Sequence, residues 1–119
     1  MMRPPDGLPV VYLCREAVDF RKGINGLAIL VEQQLSLSPF CEQLFVFCNR
    51  RRDKVKILYW ERSGFCLWQK RLEKERFKWP RHMMGDVITL TGQQLNWLLD
   101  GYDLRVMRPH KALKYKTVL

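Results

Sequence analysis

The stretch from Lys54 to Leu72 restricts the fold more than any other part of the chain. Two runs rich in β-branched and aromatic residues, Lys54–Trp60 and Phe65–Leu72, flank the polar segment Glu61-Arg62-Ser63-Gly64. That pattern is an antiparallel hairpin, and a hairpin carries its own register. Closing the turn over residues 61–64 pairs Trp60 with Phe65, Leu58 with Leu67, Lys56 with Gln69 and Lys54 with Arg71. Side chains alternate between the faces of a strand. Val55, Ile57, Tyr59, Cys66 and Trp68 therefore share one face, taken as the core face. Lys54, Lys56, Gln69 and Arg71 share the other with Leu58, Trp60, Phe65 and Leu67. A slip of one residue would exchange the two sets.

The other elements fall around this hairpin. Val10–Leu13 is a short β run after the Pro4-Pro5 and Pro9 punctuation, Leu44–Cys48 is a continuous apolar run read as a buried strand, and Val87–Leu90 is a candidate last strand. Residues 49–53 form the turn into the hairpin; taken as a five-residue loop, it puts Phe45 and Phe47 on the Val55 face. Phe20, Ile24, Leu27, Ala28, Val31 and Leu35 recur at three- and four-residue spacing. They predict a helix over about 20–36 with Asp19 as N-cap, laid over the Val55 and Trp68 face. Gly23 and Gly26 weaken it by up to ~1 kcal/mol each relative to Ala. Thr91 and Gln94 have capping-box spacing and open a second helix over about 92–100, with Leu95, Leu98 and Leu99 inward and Gly101 as its stop. The expected class is α+β: an antiparallel meander of about four or five strands, one main helix and a short C-terminal one.

A chain of 119 residues with 47% apolar content suffices for one core without staples, so one domain is expected over 1–119, with a folded core over about 9–102 and a basic tail over 103–119. No run approaches the ~18 apolar residues of a membrane-spanning helix. The first residues lack the apolar region of a secretory signal. No membrane partner is expected, and the expected location is the cytoplasm. Cys14, Cys41, Cys48 and Cys66 contain no Cys-x-x-Cys, and His82 and His110 stand apart, so no zinc site is expected and the thiols read as small hydrophobes.

The formal charge of +9 is unevenly spread. Residues 1–49 sum to −1, residues 50–81 to +8 and residues 82–119 to +2. Concentration of cations in one stretch points to an anionic partner, nucleic acid first. The candidate contacts are the turn Arg50, Arg51 and Arg52; the hairpin cations Lys54, Lys56, Lys70 and Arg71; and Arg76 and Lys78, which alternate with Phe77 and Trp79 ahead of Pro80 and Arg81. Basic–aromatic interleaving suits stacked, single-stranded or distorted nucleic acid. It equally suits an edge segment that buries its rings, and lysines also blunt sheet edges. Arg21 and Lys22, at the start of the first helix, form a second candidate phosphate contact. Arg105, Arg108, Lys111, Lys114 and Lys116 are either a basic arm or a solvated tail.

Catalytic patterns do not emerge. The carboxylates are dispersed: Asp19 reads as a cap, Asp53 as a turn residue, Asp100 as a helix end, and Glu73 and Glu75 lie among cations. There is no Gly-x-x-x-x-Gly-Lys loop and no Gly-x-Ser-x-Gly elbow. The expectation is a non-enzyme with no cofactor and no bound metal.

One resemblance joins these segments. Val11-Tyr12-Leu13-Cys14, Val18-Asp19-Phe20-Arg21-Lys22-Gly23 and Gly26-Leu27 are followed by Phe45-Val46-Phe47 and the unbroken run Asn49–Trp60. Gly64–Trp68, Lys70–Glu73, Arg76-Phe77, Trp79-Pro80, Leu95, Trp97–Leu99 and Gly101 complete it. Together they resemble the TnpB accessory proteins, second open reading frame products, of the IS66 family of bacterial insertion sequences. The resemblance spans about 10–102 and is most specific over 49–80. It implies a part in transposition and DNA recombination of a mobile element, beside a small accessory protein and a separate DDE-type transposase. It supplies no catalytic residues. The RNA-guided nuclease that shares the name TnpB is a different, much larger protein, and its RuvC-like carboxylates have no counterpart here. Two readings follow: a DNA-binding accessory factor, nucleoid-associated in the cell, or an interaction module that scaffolds the transposase without touching DNA.

Overall fold

The computed structural model describes residues 10–107. The elements run β1 (Val11–Cys14), α1 (Ile24–Gln33), β2 (Leu44–Cys48), β3 (Lys54–Glu61), β4 (Gly64–Arg71), β5 (Val87–Leu90) and α2 (Gly92–Leu99). The five strands form one sheet in the order β4-β3-β2-β1-β5. The expected α+β class holds, with one longer helix and one short. Only β2-β3-β4 is a meander. β1 lies parallel to β2, with α1 in the connection between them, and pairs antiparallel to β5 on its other side. Beyond Met107, Arg108, Lys111, Lys114 and Lys116 lie outside the described residues.

The β3–β4 hairpin has the expected register at every pair, from Lys54↔Arg71 to Trp60↔Phe65. Glu61 also faces Gly64, leaving Arg62 and Ser63 as the tip, with Arg62 in the left-handed region at φ 53. The register into β2 differs from expectation by one residue. Asn49 continues the ladder, its N–H donating to the Lys54 carbonyl at 3.3 Å while the Lys54 N–H reaches the Asn49 side-chain oxygen at 3.1 Å. The tip is thereby shortened to residues 50–53. Cys48 then faces Val55, Phe47 faces Lys56 and Phe45 faces Leu58. Phe45 and Phe47 thus lie on the Leu58 face, not the Val55 face.

The central strands of this sheet are covered on both faces, with β2 buried throughout. β3 is buried continuously from Val55 to Tyr59. On one side Leu27, Leu30 and Val31 of α1 pack on Phe45, Phe47 and Leu58. On the other, Leu95, Leu98 and Leu99 of α2 pack with Phe77 and Trp79 on Val55, Ile57, Val46 and Leu13. α1 therefore covers the face opposite to the one the sequence predicts, and α2 with residues 72–83 covers the Val55 face. Each fully buried Leu or Val contributes about 1.5–3 kcal/mol. That packing decides whether α1 forms, because a ten-residue helix containing Gly26 is too short to persist alone.

The helix ends differ in how far they follow local signals. α2 begins as expected: the Gln94 N–H donates to the Thr91 hydroxyl at 3.1 Å and the Thr91 N–H to the Gln94 side-chain oxygen at 2.9 Å. Gly101, at φ 94, provides the left-handed stop. α1 begins at Ile24 with Gly23 as N-cap, without a side-chain cap. Asp19 is not a cap, because its carboxylate accepts the Arg21 N–H at 2.9 Å and clasps the Arg21 guanidinium, closing a separate turn over 19–22. At Gly26 a Cβ would come within 3.1 Å of the Lys22 side chain, which would have to shift by a few tenths of an ångström to admit it. Thr91→Ala is expected to lower stability by about 1 kcal/mol. Asp19→Ala is expected to leave it almost unchanged, since its pair is exposed. Urea unfolding midpoints of the two variants check the assignment.

Candidate nucleic-acid interface

The basic residues of 50–81 do not spread over one sheet face. They gather at the end of the sheet where β2 turns into β3. Arg52 lies at φ 60, which turns its carbonyl outward to accept the Phe77 N–H at 2.7 Å. The Asp53 carbonyl likewise accepts the Leu72 N–H at 2.8 Å. Residues 72–83 thus form a strap laced to the arginine loop. The loop is braced internally by Asn49, whose amide donates to Asp53 at 2.6 Å and holds that carboxyl below its ordinary range.

Alternation along the strap separates its chemistry. Phe77 and Trp79 turn into the core, with exposures of 1% and 6%. The Trp79 indole donates to the Cys14 carbonyl at 3.0 Å. Arg76, Lys78 and Arg81 point to solvent. Arg15, just after β1, fastens the end of the strap by donating to the Arg81 carbonyl at 2.9 Å and the Met83 carbonyl at 3.0 Å. The result is an open groove of about 650 Å³ lined by Arg50, Arg51, Arg52, Arg76, Phe77, Lys78, Trp79, Arg81, His82, Asp103 and Arg105. Two smaller hollows adjoin it. One of about 400 Å³ reaches Asp19 and Phe20 beside Arg50 and Arg51, and one of about 300 Å³ lies between Arg15, Arg52 and Arg81 over Cys48. Burial pushes the Cys48 thiol up to about 12, against the opposing pull of Arg52, so it stays neutral.

The acids around the groove are already engaged. Asp19 binds Arg21, Glu16 binds Arg15 and lies 3.5 Å from Arg81, Glu73 binds Arg71, and Asp103 binds Arg105 at 2.8 Å. Arg21 holds the Asp19 carboxyl at about 2, and Arg105 does the same for Asp103. Arg50, Arg51, Arg52, Arg76 and Lys78 make no ion pair among the described residues. Five cations are left in one groove without contact neutralisation.

Several of the expected contact residues lie elsewhere. Lys56 is 8% exposed, and its ammonium donates to the Phe20 and Lys22 carbonyls at 2.9 Å each, 4.7 Å from the Phe20 ring centroid. Burial pushes its pKa down. It fixes the approach to α1 and is withdrawn from the surface, because the one-residue register change puts it beneath that helix. The Lys70 ammonium donates to the Leu99 carbonyl at 2.7 Å and closes the end of α2. Lys54 and Arg71 face each other across the hairpin, outside the groove lining. Arg21 is clasped by Asp19, and Lys22 packs its stem against Gly26. Sequence reasoning did not single out Arg15, whose partners are 66 and 68 residues away, or Asp103 as a lining residue. Among the described residues no three His, Cys, Asp or Glu side chains converge to hold a metal ion, and no helix is long and apolar enough to cross a membrane.

At the other end of β3, six residues or ~20 Å along the strand, Phe40, Trp60 and Phe65 form an aromatic cluster with ring centroids 5.0–5.4 Å apart. Phe40 and Ile29 are 55% and 52% exposed there. Lys56→Ala is expected to cost about 1–3 kcal/mol by leaving two carbonyls near α1 without a donor. Lys54→Ala should stay within about 0.5 kcal/mol of the parent in the same denaturant titration.

The comparisons with known proteins agree with the resemblance read from the sequence. A profile described as IS66 Orf2 like protein matches residues 9–109. Two proteins of Sinorhizobium fredii (strain NBRC 101917 / NGR234), both described as uncharacterized, are similar along most of their length. y4jC is 36% identical over 103 residues, covering 82% of this chain and 87% of its own. y4hO is 37% identical over 102 residues, covering 85% and 88%. No solved structure matches.

Proposed function

This chain belongs to the family of IS66 Orf2-like proteins, whose role in transposition is an accessory one, and we propose that it performs that role by binding DNA through the arginine groove. The observation that carries the reading is the set of five cations without an acidic partner, Arg50, Arg51, Arg52, Arg76 and Lys78, held around one concavity. Like charges gathered on a surface repel one another, and an anionic ligand relieves that repulsion. Phosphodiesters fit the donors present, since guanidinium groups grip phosphate oxygens bidentately. Binding of this kind places the protein on the nucleoid, in the cytoplasm of its bacterial host. The protein acts without catalysing a reaction: it grips the element ends or target DNA while a separate transposase does the chemistry.

A second reading has its own support at the opposite end of the molecule. The Phe40, Trp60 and Phe65 cluster, continued by Ile29, is an exposed apolar surface of the kind that meets a protein partner. The transposase or the small accessory protein of the same element is the partner this reading names. The two readings occupy different ends and are compatible.

Simultaneous Arg50→Ala, Arg51→Ala and Arg52→Ala substitution is expected to remove most DNA binding in a gel-shift titration, across all sequences alike. Asp103→Asn should act in the opposite sense and tighten binding, because it removes the single carboxylate that lines the groove. Unchanged affinity in both variants would refute the DNA reading. For the second reading, Phe40→Ser is expected to abolish co-purification with the transposase after nuclease treatment and to leave DNA affinity as it was.

A further inference from the structure

The sequence of the strap, with cations and aromatic rings interleaved, is one that suits stacking on unpaired bases. The structure separates the two. Phe77 and Trp79 line the groove only as its floor, at 1% and 6% exposure, and the Trp79 indole N–H is committed to Cys14. A ring buried to that degree has no free face for a base. Among the other rings, Phe40 and Trp60 sit at the far end of the sheet, Tyr102 is exposed but does not line the groove, and Phe20, in the adjoining hollow, already carries the Lys56 ammonium 4.7 Å from its ring centroid. The groove lining therefore offers many cations and, in His82, a single exposed ring, too few to stack a run of unpaired bases. Neither α1 nor α2 contributes a lining residue, because both lie flat on the sheet faces. Direct readout in the major groove generally uses a helix or a β-ribbon. Here the lining comes from the tip between β2 and β3, the strap, Asp103 and Arg105, and no residue within a helix or strand contributes to it.

From this we infer that the groove binds double-stranded DNA by its phosphate backbone, without regard to sequence, and does not capture single strands. The inference rests on the DNA-binding reading and narrows it to one class of nucleic acid. A duplex suits the site for two reasons. Its phosphates are already fixed in space, so five cations carried on a braced loop and strap meet a regular row of anions without ordering a flexible strand. Its higher charge density also releases more counterions per contact. The difference between about 0.9 and about 0.7 counterions per phosphate, over five phosphates, is worth about tenfold in affinity at 0.1 M salt.

The test is a fluorescence-anisotropy titration of the full chain at several salt concentrations. The probes are a mixed-sequence duplex, a second duplex of different base composition, one separated strand, and an abasic strand of equal length. The expected result is equal affinity for the two duplexes, with log K against log [salt] sloping at about −4.5. The separated strand should bind about tenfold more weakly at 0.1 M salt, and its abasic counterpart should match it. A strand that binds as well as the duplex and weakens when its bases are removed would overturn the inference while leaving DNA binding in place. A preference between the two duplexes would overturn the claim of sequence independence. Absence of binding to every probe at low salt would overturn both this inference and the DNA-binding reading.

Discussion

Everything in this fold depends on β3 being buried on both faces. A strand that is apolar on both sides must lie in the middle of three layers, and one helix cannot cover both. α1 closes the Phe45 and Leu58 side. α2 is only eight residues long and leaves the end of the Val55 side open. The strap fills that gap by pressing Phe77 and Trp79 onto the sheet beside Val55 and Ile57. Since the strap alternates, burying its rings turns Arg76 and Lys78 outward, next to the arginine loop. The basic groove is thus a by-product of completing the core. The same alternation that closes the apolar layer also assembles the charge.

How much of this was legible in the sequence differs from one element to the next, for physical reasons. The hairpin and the α2 cap rest on interactions between neighbours in the chain, so local pattern was enough to place them. The face assignment failed at Asn49. One side-chain amide that bridges Lys54 and Asp53 lengthens the ladder by a residue, and a period of two converts that into an exchange of faces. Lys56 went beneath α1, and α1 went to the other side of the sheet. The start of α1 departs from the local signal because Asp19 has two uses, a cap or a clasp for Arg21, and residues 19–22 take the second. The parallel placement of β1 was not legible, since strand order is a property of contacts across the chain.

The candidate site was half legible. Arg50–Arg52 and Arg76–Lys78 were found from local charge density alone. Their convergence was not, because it depends on backbone hydrogen bonds such as Phe77 to Arg52 that no spacing rule predicts. Arg15 is the clearest omission. Its guanidinium is spent on carbonyls of the strap, a scaffolding role that looks in the sequence like any other surface charge. Lys70 is the converse, a cation in the basic run whose donor capacity is consumed by the end of α2.

The crowding of Arg50, Arg51, Arg52, Arg76 and Lys78 also affects the protein when it is alone. Mutual repulsion among them is present in the folded chain and relaxed in the unfolded one, so it subtracts from stability. Screening shortens its reach, from about 30 Å at 0.01 M salt to about 8 Å at physiological ionic strength. Dissolved ions therefore act on this molecule in two opposed senses. They firm the fold by quieting the groove, and they loosen its hold on a polyanion by competing for the same charges. The ionic strength at which the free protein is most comfortable is one at which its grip is weakest.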